Sequence, residues 1–236
     1  MLQSLVERRI GLAVVVVPYS IPDASRGAGD LLGSVAILWT GVARNPSCSM
    51  IEQGRGFVAV KWDDLTVLDV YVSPNISRVE YASFLNGLAA CVRRLGAYPS
   101  LILGDFNTHS TARGSRRTNG RGSAVQDWAA ALDLRLINRG SSRTCVAWRG
   151  ESIVDLTWAN SAASGGVSGW EVPAEETLSD HLYIVMDVTV GGAEGDHSFG
   201  SYRPEGSSGR RRRNFSRWAA THCDDDVMTT ATMAVA

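Results

Sequence analysis

The chain has 236 residues, 44% of them hydrophobic, and a formal net charge of −1. That length supports one full domain with its core and leaves little for a second. The near-neutral balance excludes bulk electrostatic attraction to nucleic acid, so any such contact must be local.

The 23 basic residues are 22 Arg and one Lys, Lys61. This bias suits bidentate phosphate contacts, and a GC-rich coding sequence would equally produce it. Cys48, Cys91, Cys145 and Cys223 are far apart and form no CxxC. They point to neither a zinc site nor a disulfide framework, and reduced structural thiols fit an intracellular setting.

In chain order, Leu2–Arg9 reads as one or two helical turns. Ile10–Val17 is apolar and β-branched on both faces, the pattern of a central strand. A signal peptide is the alternative, but the run is short, no small-residue cleavage pattern follows and Pro18 ends it, so a buried strand is the better reading. No stretch is long enough to span a bilayer. Pro18–Asp30 is a loop, and Ser34–Trp39, Phe57–Trp62 and Leu65–Val72 are strands.

Ser77 starts a helix, with Glu80 as its capping-box partner and Gly96 as its stop. Ser100–Leu103 is a short buried strand, and Thr108–Gly122 is a Gly- and Arg-rich loop. Ser123 and Gln126 suggest a second capping box before Val125, Trp128, Ala129 and Leu132. Strands follow near Leu134–Asn138, Thr144–Trp148, Ile153–Trp158, Val167–Val172 and Tyr183–Val190. This alternation predicts two sheets packed together and covered by helices. The domain is expected over residues 1–190. Residues 191–236 read as a Gly-, Ser- and charge-rich linker followed by the start of an uncompleted helix.

Three pieces carry chemistry. In Gly104-Asp105-Phe106-Asn107, alternation puts Asp105 and Asn107 on one side of the chain and Phe106 in the core. An ionised Asp can accept a proton from water, and Asn can donate to a phosphate oxygen. Taken alone, the tetrapeptide is as readily a turn. In Ser179-Asp180-His181, an imidazole can stabilise a pentavalent phosphate and Asp180 can ligate a divalent cation. The plain alternative is a capped turn with a surface His.

Asp155 interrupts the apolar run Ile153–Trp158, where an unpaired charge is costly. Its partner is His181, or else Arg143 or Arg149. Tyr71 could reach a phosphate at a strand end or simply pack across strands. Arg113, Arg116, Arg117 and Arg121 crowd one loop without acids, so they either track a DNA backbone or are solvated. Arg210–Arg213 is a nuclear-localisation or nucleic-acid patch, or a charged linker.

The order of Tyr71 before Pro74, then Gly-Asp-Phe-Asn, Asp155 and Ser-Asp-His resembles the endonuclease/exonuclease/phosphatase superfamily. Within it, the chain looks like the apurinic-type endonuclease domain of arthropod non-LTR retrotransposons. His109-Ser110, Asn119-Gly-Arg-Gly122, Leu136-Ile-Asn138, Thr144 and Trp170 add to that likeness. It covers roughly residues 1–190, and Asn214–Trp218 looks like a lead toward a reverse transcriptase that the chain lacks.

The resemblance implies a four-layer α/β sandwich and Mg²⁺- or Mn²⁺-dependent cleavage of DNA in an intracellular, nuclear setting. By it, Asp105 orients or deprotonates water and Asn107 contacts the scissile phosphate. His181, paired with Asp155, stabilises the transition state. Asp180 and Asp105 hold the metal, and Tyr71 touches phosphate. Two departures stand out. The family's first, Asn-bearing strand is expected to be missing. Val17 occupies the position of the metal-ligand Glu, and valine offers no oxygen to a hard cation. A weakened or decayed nuclease is therefore expected. The alternatives are a DNA-binding remnant and a small-molecule phosphatase of the same fold.

Overall fold

The computed structural model describes residues 2–18, 20, 23–40, 47–111, 118–148, 150–175, 177, 179–191 and 210–219. Two six-stranded sheets form its centre.

The first sheet contains β1 (Leu12–Val16), β2 (Gly27–Gly29), β3 (Val35–Trp39), β12 (Val167–Glu171), β13 (Ile184–Gly191) and β14 (Arg210–Ala219). Its order is β12-β13-β14-β1-β3-β2. The second contains β4 (Cys48–Gly54), β5 (Phe57–Trp62), β6 (Leu65–Tyr71), β7 (Ser100–Asp105), β8 (Arg135–Leu136) and β11 (Asp155–Ala159), ordered β4-β5-β6-β7-β11-β8. A separate hairpin joins β9 (Cys145–Ala147) to β10 (Gly150–Ser152). Both large sheets are mixed: β1 runs parallel to β14, and β6 parallel to β7.

Alternation along the strands builds the core. Leu12, Val14 and Val16 face Val58, Val60, Val67, Leu101 and Leu103 across the gap between the sheets. Ala13 and Val15 face outward, onto Leu5 of α1 (Leu2–Glu7). The far face of the second sheet is covered by α2 (Arg78–Leu95) and α3 (Gly120–Ala130), through Leu85, Leu88, Val125 and Trp128. Helix, sheet, sheet and helices make the four-layer α/β sandwich that the sequence implied. The short α4 (Ser161–Ser164) follows β11.

Several local expectations hold. Ser77 and Glu80 form a capping box, and Gly96 ends α2 at φ +65°. Others need correction. The second capping box is absent, because α3 starts earlier, at Gly120. Its cap is Asn119, whose Oδ1 accepts from the Gly122 amide at 2.8 Å, while Gln126 donates instead to Ser110 Oγ at 2.7 Å. The strands β2, β4 and β10 were not read from sequence, since each is short or lacks a clean apolar alternation.

The segment read as linker and incipient helix contains β14. It lies between β13 and β1, antiparallel to the first and parallel to the second. The reason is backbone satisfaction: two inner strands leave ladder donors and acceptors that a third chain segment must meet. Residues 192–209 and 220–236 lie outside the described residues.

Candidate active site

Strand register brings the first three residues together. Asp105 ends β7, Tyr71 ends the parallel neighbour β6, and Asp155 begins the antiparallel neighbour β11. Tyr71, Asp105 and Asp155 are direct cross-strand partners, so they stand in one row at one end of the second sheet. Gly104 makes that close pairing possible. Its φ is +149°, and a Cβ there would lie 1.9 Å from the Val70 carbonyl oxygen. Only glycine fits both demands.

His181 reaches the row from the loop before β13. Its Nδ1 lies 3.0 and 2.9 Å from the two oxygens of Asp155. Its Nε2 lies 3.9 Å from Asp105 Oδ2. Asp155 is fully buried and Asp105 is 2% exposed, so neither carboxylate is diluted by solvent. Burial works against a charged imidazole here. The charge and hydrogen bond of Asp155 outweigh it, helped by a hydrogen bond with Cys145 and the charge of Asp105. Together they raise the His181 pKa to about 11.

The backbone around this pair is held by residues that sequence reasoning left without a role. Thr144, fully buried, accepts from the amides of Val154 and Asp155 at 3.2 and 3.1 Å. Its carbonyl takes the Leu182 amide at 2.8 Å, next to His181. Asn138 donates to the Asp155 carbonyl at 2.9 Å and accepts from the Thr157 amide at 2.8 Å. A bridge between Cys145 and His181 ties the β9–β10 hairpin to the same loop. A polar residue just outside a short strand is the signal that marks both Asn138 and Thr144.

Asn107 sits at φ +44° directly after the Asp105-Phe106 step. Its backbone amide donates to Asp105 Oδ1 at 2.8 Å, and its side-chain amide to Asp105 Oδ2 at 2.8 Å and the Val72 carbonyl at 2.9 Å. It therefore clamps the carboxylate from both sides. Tyr71 is half-buried, with its ring packed against the inter-sheet core.

Asp105, Asp155 and His181 each place a potential ligand atom within 4.8 Å of the others. Asp180, expected to hold the metal, is half-buried and lies outside that cluster. The Asp180 carbonyl accepts from the Val146 amide at 2.7 Å. Val17 follows β1 at φ +51° with 40% exposure. Val14 of β1 and Ile184 of β13 both pair with Arg217 of β14. Val17 and His181 each lie three residues beyond that row, at the same end of the first sheet.

Arg121 does not reach outward. Its guanidinium donates to the carbonyls of Ser73, Pro74 and Ile76 at 3.1, 3.0 and 2.6 Å. Arg113, Arg116 and Arg117, grouped with it in sequence, lie outside the described residues, as does Arg149. Arg143 pairs with Glu151, so Asp155 takes His181 as its partner. Among the described residues, no helix is long and apolar enough to cross a membrane.

Two packed mixed sheets carry a buried Asp–His pair and a clamped Asp at their strand ends. A family model described as endonuclease-reverse transcriptase matches residues 65–185, and the chain belongs to that family. Among solved structures it is similar to the endonuclease domain of TRAS1, a telomere-specific non-LTR retrotransposon. Identity is 22%, the match covers 79% of this chain and 89% of that one, and the TM-score is 0.68. It is also similar to the 3′ phosphatase NExo from Neisseria bound to product DNA hairpin. There identity is 13%, coverage is 76% and 79%, and the TM-score is 0.51. At these identities the solved structures establish the fold alone. No curated protein matches the chain by sequence.

Proposed function

We propose that the chain is the target-nicking DNA endonuclease domain of a non-LTR retrotransposon. It would hydrolyse phosphodiesters with His181, Asp155 and Asp105, at a rate limited by a weak metal site. The observation that carries this reading is the Asp155–His181–Asp105 arrangement, with both carboxylates buried and the imidazole between them.

Asp155 fixes the ring through Nδ1 and keeps it protonated, which leaves Nε2–H as a donor. That donor faces Asp105 at the end of β7. An imidazolium there stabilises charge as it builds on phosphate oxygens. Asp105 can hold or deprotonate a water, with Asn107 keeping its carboxylate oriented. Tyr71, one strand away, is the proposed further contact to a phosphate oxygen. DNA is the proposed substrate, and a reverse transcriptase the proposed functional companion.

Asp105 would be the carboxylate that holds a divalent cation, and Asp180, outside the Asp105–Asp155–His181 cluster, would have to supply the second oxygen. Mg²⁺ or Mn²⁺ bound there would supply Lewis-acid polarisation of the phosphate. The set is sparse for a hard cation: both Asp155 oxygens face His181, and Val17 offers none. A specific observation thus favours a second reading, a catalytically decayed remnant that retains the fold and binds DNA weakly.

Relaxation of supercoiled plasmid separates the two. Slow nicking that requires Mg²⁺ or Mn²⁺ and disappears in His181→Ala supports the enzyme. DNA binding with no nicking under either metal supports the remnant. Release of phosphate from small phosphomonoesters without nicking would overturn both in favour of a phosphatase.

A further inference from the structure

We propose that Arg121 is a positioning residue for Asn107 and its clamp on Asp105, and that it makes no DNA phosphate contact. The inference rests on the nuclease reading for its catalytic meaning, and on the geometry below for its structural part.

Arg121 is the second residue of α3. A cation in the first turn of a helix opposes the helix dipole, so this position alone disfavours an Arg. What it gains is a set of backbone acceptors. One guanidinium serves the carbonyls of Ser73, Pro74 and Ile76. The same group stacks 4.6 Å from the centroid of the Tyr81 ring. Tyr81 is buried, and its hydroxyl donates to the Phe106 carbonyl at 2.9 Å.

Both lines converge on Asn107. Phe106 is its chain neighbour. Ser73 follows Val72, whose carbonyl accepts from the Asn107 side chain. Arg121 therefore holds the acceptor of Asn107 from one side and, through Tyr81, the backbone of Asn107 from the other. Asn119, two residues earlier, adds a third hold: its Oδ1 accepts from the His109 amide at 3.3 Å. The N-terminus of α3 thus braces both loops that frame Asn107, which sits at φ +44°.

A planar guanidinium can serve three carbonyls and a ring at once, and an ammonium cannot. That difference sets the experiment. Arg121→Gln and Arg121→Lys are compared with wild type for nicking of supercoiled plasmid with Mn²⁺. Binding of a mixed-sequence DNA duplex across salt concentrations and the NMR signal of the Asn107 side-chain amide are measured alongside.

Positioning predicts that both variants lose about 10–100-fold in kcat, with KM little changed. The salt slope of binding stays as in wild type, and the Asn107 amide shifts and exchanges faster. Full function in Arg121→Lys, or a salt slope lower by about one in Arg121→Gln, would mean a phosphate contact and overturn the proposal. If the wild type neither nicks nor binds DNA, the nuclease reading fails by itself. The Asn107 signal then decides: an unchanged amide in Arg121→Lys sinks the positioning role, and a shifted one sustains it.

Discussion

His181 is charged or neutral according to one neighbour. The ring is buried, which favours the neutral form, and Asp155 reverses that preference. Asp155→Asn keeps the shape and removes the charge, so the His181 pKa should fall well below its wild-type value of about 11. Imidazole NMR signals followed against pH check this: wild-type His181 should stay protonated at pH 8, and the variant should not. The sign for stability follows. The folded pKa lies above the unfolded value, so the pair's stabilisation is complete below roughly pH 6.5 and fades as pH rises toward 11. A wild type that titrates like Asp155→Asn would show the pair is not coupled.

Asp155 called for a partner because it breaks an apolar run, whereas Asp105 and His181, each readable alone as part of a turn, stood out only through the combined order of the motifs. The backbone hydrogen bonds of Arg121 were not foreseen, for the opposite reason. In sequence it is one of four arginines in a loop without acids, and its carbonyl partners lie more than forty residues upstream. Backbone acceptors leave no mark on residue identity.

At the scale of elements, β11 and the loop before β13 must keep their mutual placement for the pair to form. Thr144 links them by accepting the amides of Val154 and Asp155. Thr144→Val keeps the volume and deletes that acceptor, leaving two buried amides unsatisfied. It should cost about 1–3 kcal/mol per amide in denaturant unfolding, and Thr144→Ser should cost less. Equal losses in the two variants would mean that packing of the methyl group, and not the hydroxyl, holds the link.

The helix α2 was readable to the residue because its cap, apolar stripe and glycine stop agree. The start of α3 was missed because Asn119 caps it from within a Gly-rich loop, where an Asn reads as a turn former. The same ambiguity surrounds the hairpin strands β9 and β10, three residues each.

At the scale of the molecule, the strand–helix alternation was enough to foresee two sheets covered by helices. It could not foresee β14. Arg210–Ala219 has no apolar alternation, and only the open ladders of β1 and β13 call it into the sheet. A chain ending at Gly191 should therefore expose two inner strand edges, lose stability and aggregate. Thermal unfolding and light scattering of the shortened chain test this. A monomer with unchanged melting would return residues 210–219 to the role of a dispensable tail.

The Asp105–Asp155–His181 cluster draws on both sheets, and Val17 ends β1 at the same end of the first sheet as His181. That geometry makes Val17→Glu the informative change, because it offers an oxygen ligand at the end of β1. The most direct measurement is the nicking rate of supercoiled plasmid with and without Mg²⁺, for wild type, His181→Ala, Val17→Glu and Val17→Glu with His181→Ala. The account predicts slow, Mg²⁺-dependent wild-type nicking and a rise of about tenfold or more in Val17→Glu. It also predicts losses of about 10²–10⁴-fold wherever His181 is replaced. Nicking that survives His181→Ala undiminished, or its absence from every folded variant including Val17→Glu, would contradict it.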